Sequence, residues 1–335
     1  MGEYSLKNIV FMMNAKQRKN IFKQEDIDII CRYGNTIYNT DEHDPDQERA
    51  KEIAMGANII ITSWGCPQLS KDVLDQAPDL ELIIHAAGSV KGIISDEVWR
   101  RGIRVSSSAQ ALGIGVAETA VGFTITAIKN MWSLSANTRA GKWSEGREKV
   151  REVYGITIGV IGAGRAGTHY IKLMNNFDVR ILLYDPFIDR EKAAALGAEK
   201  SELDELLKES DVVSVHAPSI PETYHMINAD RLAVMKDDAV LINTARGSII
   251  DENALITELK KGRLFACIDV TDPEPPSEDH PFRSLPNVIL TPHIAGAVNN
   301  GLYRIGRYVA NEIRLYEKGE EMDGEVFESK INSLA

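Results

Sequence analysis

Between residues 156 and 291, six short apolar runs recur too far apart for hairpins: ITIGVI (156–161), VRILLY (179–184), VVSVH (212–216), AVLIN (239–243), FACID (265–269) and VILT (288–291). Helical stretches lie between most of them. Strands spaced this way can share a sheet only as parallel neighbours joined by crossover helices, so this half of the chain predicts a doubly wound α/β unit. The earlier half repeats the pattern more loosely, with strands expected at KNIVFMM (7–13), NIIITS (58–63), LELIIH (80–85) and IRVS (103–106). At 335 residues the chain is about twice the ~150 residues of one domain, which leaves room for two such units.

Two stretches interrupt the alternation. Residues 113–131 (GIGVAETAVGFTITAIKNM) form the longest apolar stretch; its Gly interruptions and polar flank predict a buried helix and not a membrane span. Residues 271–286 hold five of the twelve prolines and predict a loop, and loops of that length in compact domains are often functional. The tail from residue 299 (NNGLYRIGRYVANEIRLYEKGE) has helical periodicity and is expected to fold back on the first domain.

Composition narrows the function classes. With 38 Lys+Arg against 49 Asp+Glu, the net charge of −11 disfavours nucleic acid or an anionic membrane as partner. The N-terminal sequence lacks the basic–apolar–small order of a secretory signal. Three scattered cysteines without a CxxC pair fit reduced thiols in the cytoplasm and offer no metal framework. A soluble cytoplasmic protein without bound metal is the expectation.

The glycine cluster of GVIGAGRAG (159–167) places Gly162, Gly164 and Gly167 in GxGxxG spacing, directly after a predicted strand and opening a helix. Such glycines serve a tight turn, close approach of a pyrophosphate, and close helix–strand packing, while the helix start offers free N–H groups to phosphate. Asp185 ends the next strand 18 residues after Gly167, near the distance at which an acid binds the adenosine ribose. A carboxylate there repels a 2′-phosphate, so NAD is favoured over NADP, with Arg190 the nearby residue that weakens the distinction.

Chemistry on such a sheet belongs beyond the carboxyl ends of its strands. Three ionisable residues fall there: Arg246 after VLIN, Glu274 in the proline-rich loop after FACID, and His293 after VILTP. Each alone reads more readily as a surface, capping or turn residue than as a catalytic one. Together they are complementary: Arg offers a rigid fork for a carboxylate, His titrates near neutrality, and a carboxylate bonded to that His favours its charged form.

These segments, with VAE (116–118), YDP (184–186), SVHAPSIPETYHMI (214–227), NTARGSIIDENAL, DVTDPEPP (269–276) and TPHIAGA (291–297), resemble the D-isomer-specific 2-hydroxyacid dehydrogenases. The resemblance implies hydride transfer between NAD(H) and a 2-keto or 2-hydroxy acid. It implies a Rossmann NAD domain at 109–298 and a flavodoxin-like substrate domain at 1–108 and 299–335, with the active site in the cleft between them. By the same resemblance Arg246 binds the keto acid, His293 is the acid/base and Glu274 its partner. Gly162, Gly164, Arg165, Ala166, Gly167 and Asp185 would hold the pyrophosphate and adenosine. His216, Ala217, Pro218, Thr223, Thr244, Ala245, Arg246, His293 and Gly296 would line the rest of the cofactor cleft, and Asp269 would hold the nicotinamide carboxamide. His216 has no proton-transfer role in this reading, and His43, His85, His169, His225 and His280 read as structural.

The substrate loop departs from the family. Where a glycine-rich loop usually precedes Asp-Asn, this chain has HAAGSVKGI (85–93), with Ala87, Gly88 and Ser89 as the expected carboxylate-binding backbone and Lys91 in an altered place. Two other readings accompany the enzyme: an NADH-binding scaffold like the C-terminal-binding-protein corepressors, and a phosphite-type dehydrogenase. The formate enzymes of the family carry Gln where Glu274 stands. A homodimer is expected through the VAE helix and the apolar stretch beside it.

Overall fold

The computed structural model describes residues 6–333, which divide into two compact units. One holds the residues up to Leu112 together with those from Ala297 onward; the other is Gly113–Gly296. The division thus falls inside the helix Ala109–Ile128, and not at 108/109 and 298/299 as the sequence suggested. The reason is packing: Ala111, Leu112 and Ala297 lie against the core of the first unit, whereas Ala117, Ala120, Phe123 and Ile128 enter a core of the second.

In chain order the strands are β1 (Lys7–Phe11), β2 (Gly34–Tyr38), β3 (Ile59–Thr62), β4 (Leu82–His85), β5 (Arg104–Ser107), β6 (Thr157–Ile161), β7 (Arg180–Tyr184), β8 (Glu199–Lys200), β9 (Val212–Val215), β10 (Ala239–Asn243), β11 (Leu264–Ile268), β12 (Val288–Leu290) and β13 (Glu325–Val326). The first unit orders them β2-β1-β3-β4-β5-β13, parallel except for β13, which is the flavodoxin-like order with one strand added. The second orders them β8-β7-β6-β9-β10-β11-β12, all parallel, the Rossmann order extended by a seventh strand. The central strands are buried on both faces and so read as continuous apolar runs: every residue of β3, β4, β9 and β10 is buried.

The helix Leu302–Glu317 returns to the first unit, where Ile305, Val309, Ala310 and Ile313 complete its core. Gly306 makes this possible, since a Cβ there would stand 2.2 Å from the Ile21 carbonyl oxygen. From the same helix Glu312, fully buried, accepts bonds from Ser106 Oγ, Asp323 N and Gly324 N, and so fastens the β13 segment beside β5.

The long apolar helix needs one correction. It runs Ala109–Ile128 where the sequence placed it at 113–131, is 20 residues long, and is apolar enough by length and composition to cross a bilayer. It is also only partly buried, under half of its most apolar stretch being covered. Its buried face consists of small residues plus Phe123 and Ile128, and the residues after it, Met131, Trp143 and Tyr154, expose apolar side chains.

Candidate active site

The glycine loop lies where the strand order of the second unit reverses. β6 has β7 on one side and β9 on the other, so a crevice opens at the carboxyl ends of β6 and β9. Gly162 turns there at φ +92°, and a Cβ on it would stand 2.8 Å from Ala217 N, so the loop after β6 rests directly on the loop after β9. Gly167 is pressed more tightly still: its Cβ would lie 2.0 Å from the Gly162 carbonyl oxygen. Gly164 is different. It is exposed, caps the helix Arg165–Met174 without a side-chain bond, and has nothing within 4 Å of where a Cβ would be. Two glycines therefore serve the protein's own packing, and the third leaves open space in front of uncapped N–H groups.

Asp185 stands at the end of β7 with its carboxylate already oriented. One oxygen accepts from Ala163 N at 2.8 Å and the other from Phe187 N at 2.8 Å. On the β9 side His216 is buried, its Nε2 on Ser214 Oγ at 2.9 Å and its ring 5.1 Å from that of Tyr170. Burial pushes its pKa down to about 3, so the ring is neutral at physiological pH and unsuited to carrying a proton there. Two buried polar atoms after β9 and β10, His216 Nδ1 and Thr244 Oγ1, have no hydrogen-bond partner among the described residues. Thr223 Oγ1 bonds the Pro218 carbonyl at 2.6 Å and so shapes the loop after β9. Open space at Gly164, an oriented carboxylate at Asp185 and orphaned polar atoms at His216 and Thr244, on strand ends of the same sheet, fit a dinucleotide.

The three ionisable residues leave the neighbouring strands β10, β11 and β12. Arg246 follows β10, and its Nη1 donates 2.7 Å to the Ala245 carbonyl; among the described residues no carboxylate lies within ion-pair distance of it. Gly247 brings the start of the next loop against it, since a Cβ on Gly247 would be 2.2 Å from the Thr271 carbonyl carbon. Glu274 lies in that loop and His293 after β12, and their side chains meet: Nδ1 to Oε1 is 2.7 Å, with both side chains about half exposed. A proton on Nδ1 held by the carboxylate leaves Nε2 as the atom that exchanges protons with a ligand.

Asp269 at the end of β11 explains how His293 is held. It is 2% exposed and accepts from Thr291 Oγ1 at 2.5 Å, Ile294 N at 2.9 Å and Ala295 N at 2.8 Å. The turn from Thr291 to Ala295 is thus wrapped around one buried carboxylate. His293, inside that turn, takes φ +52°, a conformation uncommon for a residue with a side chain. Behind it, Thr119 Oγ1 donates to the Ala295 carbonyl at 3.2 Å, and a Cβ on Gly115 would lie 3.2 Å from the Gly296 oxygen, so the long helix backs the same loop. The sequence reading gave Asp269 to the nicotinamide and did not see this organising role, which depends on β11 and β12 being sheet neighbours. In the first unit, Ala87, Gly88, Ser89 and Lys91 follow β4, with Ala87 buried, Gly88 and Ser89 half-buried and Lys91 exposed.

The model of the family described as D-isomer specific 2-hydroxyacid dehydrogenase, NAD binding domain, matches residues 121–295, just over half of the chain. Among curated relatives, a glyoxylate reductase of Thermofilum pendens is 36% identical over 76% of this chain and 76% of its own length. A D-3-phosphoglycerate dehydrogenase of Methanocaldococcus jannaschii is 35% identical over 82% of this chain but 52% of its own length, so the chain spans about half of that relative. In fold, a solved phosphoglycerate oxidoreductase from Rhizobium etli superposes with a TM-score of 0.81 at 24% identity, covering 96% of this chain and 98% of its own. The chain belongs to the D-isomer-specific 2-hydroxyacid dehydrogenase family, and its second unit carries that family's NAD-binding domain.

Proposed function

We propose that this protein interconverts a 2-keto acid and the corresponding D-2-hydroxy acid with NAD(H). The observation that carries the proposal is the Glu274–His293 pair at 2.7 Å, on the ends of β11 and β12 beside the β10 end that carries Arg246, which has no acidic partner among the described residues. A nicotinamide held in this site would supply the hydride chemistry. Protonated His293 gives the Nε2 proton to the oxygen of the reduced carbonyl, and takes it back in the reverse direction. Glu274 stabilises the charged ring and fixes its tautomer. Arg246 offers its fork to the substrate carboxylate and to the charge that builds on the oxygen. In the cofactor site the glycine loop with Arg165 and Ala166 would hold the pyrophosphate, Asp185 the ribose, and Thr244, His216 and Asp269 the nicotinamide side.

We assign the backbone of Ala87, Gly88 and Ser89 to the substrate carboxylate. The protein works as a homodimer in the cytoplasm. Support for the dimer is the half-covered apolar helix and the exposed Met131 (46%), Trp143 (75%) and Tyr154 (77%) near it. The free thiols suit a reducing compartment. Sedimentation at the mass of a single 37.1 kDa chain would refute the dimer.

The test is NADH oxidation against glyoxylate, hydroxypyruvate, pyruvate, branched and aromatic keto acids and phosphohydroxypyruvate, with NADPH in parallel. Turnover of at least one with NADH preferred is expected, and His293→Ala should lower kcat by about 10²–10⁴-fold while NADH binding survives. An unchanged kcat in that variant sinks the mechanism.

A further inference from the structure

The loop that carries Glu274 has the composition of a free connector, yet it is tied at both ends to one side chain. Glu252, the first residue of the helix Glu252–Lys260, accepts from Asp272 N on Oε1 at 2.9 Å, two residues before Glu274. Its other oxygen, Oε2, meets His280 Nε2 at 3.2 Å, six residues after Glu274. Both side chains are largely buried, 13% exposed for Glu252 and 15% for His280. His280 Nδ1 accepts from Phe282 N at 3.3 Å, so the ring proton sits on Nε2 and points at the Glu252 carboxylate. The imidazole packs edge-on against Phe282, which is 2% exposed and part of the core. Within the span, Arg283 ties Ser277 and Pro276 through their carbonyls at 2.8 and 2.9 Å, and Thr271 Oγ1 bonds the Pro273 carbonyl at 2.9 Å.

We propose that Glu252 and His280 are positioning residues for proton transfer: one buried carboxylate gathers both ends of the Glu274 loop and thereby sets where Glu274 meets His293. The proposal rests on the reading of Glu274 and His293 given above. Neither residue touches the reacting atoms. The pair acts by fixing a loop that would otherwise wander, because a misplacement near 1 Å in a reacting group costs about 100-fold in rate. Burial also raises the pKa of Glu252, as expected of a carboxylate largely withdrawn from water.

The test uses the full chain with Glu252→Ala, Glu252→Gln, His280→Ala and His280→Gln, each alone and combined with Glu274→Gln. For each, the pH profile of keto-acid reduction, NADH binding and thermal midpoint are measured. Glu274→Gln removes the charge that favours protonated His293, so its alkaline limb moves to lower pH. Glu252→Ala and His280→Ala are expected to move the limb the same way and to lower kcat about 10- to 100-fold, with NADH binding within about twofold. Combined with Glu274→Gln they should add no further loss, because the group they position is already gone. His280→Gln, which keeps a donor for Glu252, should recover part of the rate. If Glu274→Gln moves the limb while the Glu252 and His280 variants leave it in place, or if their losses multiply with that of Glu274→Gln, the positioning role is overturned. If Glu274→Gln itself leaves the limb unmoved, the assignment of the proton-transfer pair falls, and this inference with it. Should Glu252→Ala fail to fold, Glu252→Gln, which keeps an acceptor for Asp272 N but opposes the His280 proton, gives the same readout.

Discussion

Replacing Asp269 by Asn changes one oxygen to an NH₂ and nothing in shape, so its consequence is read from the hydrogen bonds. The best placement of the amide keeps its oxygen where Thr291 Oγ1 and Ile294 N converge, and turns the NH₂ toward Ala295 N. Two donors then face each other beside a residue that is 2% exposed. A buried donor left unsatisfied costs about 1–3 kcal/mol, and the two surviving bonds lose their charge assistance, roughly 0.5–1 kcal/mol each. The sum is about 2–5 kcal/mol. In a unit of this size each kcal/mol lowers the midpoint by about 2–4 °C, so a drop on the order of 10 °C is expected. The His293 backbone, at φ +52° within this turn, loses part of its support, and kcat for keto-acid reduction should fall by about 100-fold. Thermal unfolding and steady-state kinetics with saturating NADH measure both effects. Thr291→Val, which removes a single donor, should cost only about 1 kcal/mol and less than about tenfold in kcat. A native midpoint and native kcat in Asp269→Asn would refute the reasoning; a rise confined to the KM for NADH would leave Asp269 as a cofactor ligand and no organiser of the loop.

Gly167→Ala forces a methyl to within 2.0 Å of the Gly162 oxygen, so the helix start must separate from the glycine turn; NADH affinity, followed by fluorescence titration, should fall at least about tenfold, and native affinity would contradict the packing described. His85 is buried on Thr62 Oγ1 at 2.9 Å with its pKa pushed down to about 4, so the folded state binds its proton less readily than the unfolded chain. Stability therefore rises with pH through this window and is lost on acidification from about pH 6.5 to about 4, by roughly 3 kcal/mol. His85→Asn should flatten that loss in urea unfolding of the first unit, and an unchanged slope would show that the ring is not held neutral.

Much of the fold was legible because the central strands are buried on both faces. All four strands expected in the first half and all six in the second half occur. β2 escaped notice for the opposite reason: GNTIY alternates buried and exposed positions at a sheet edge, directly after a helix, and carries no continuous apolar run. β8 and β13 have two residues each and exist only because a neighbouring strand end offers them bonds. At the site, residues whose chemistry is intrinsic were visible: a glycine that must be a glycine, an Arg, a His and an acid at strand ends. What stayed hidden were roles created by tertiary contact. That Asp269 gathers the Thr291–Ala295 turn depends on where that turn is placed, and nothing in DEN or DHP says that Glu252 and His280 will meet across 28 residues.

The first unit is built from two stretches of chain separated by the whole of the second, and this orders events during synthesis. When residues up to Gly296 have left the ribosome, the second unit is complete and can fold as a unit. The first still lacks Ile305, Val309, Ala310 and Ile313 of its core, and β5 has no strand on its outer edge. Until Leu302–Glu317 and β13 emerge, the earliest-made half of the protein waits with apolar surface and an open strand edge uncovered, which makes it the half that most needs protection in the nascent chain.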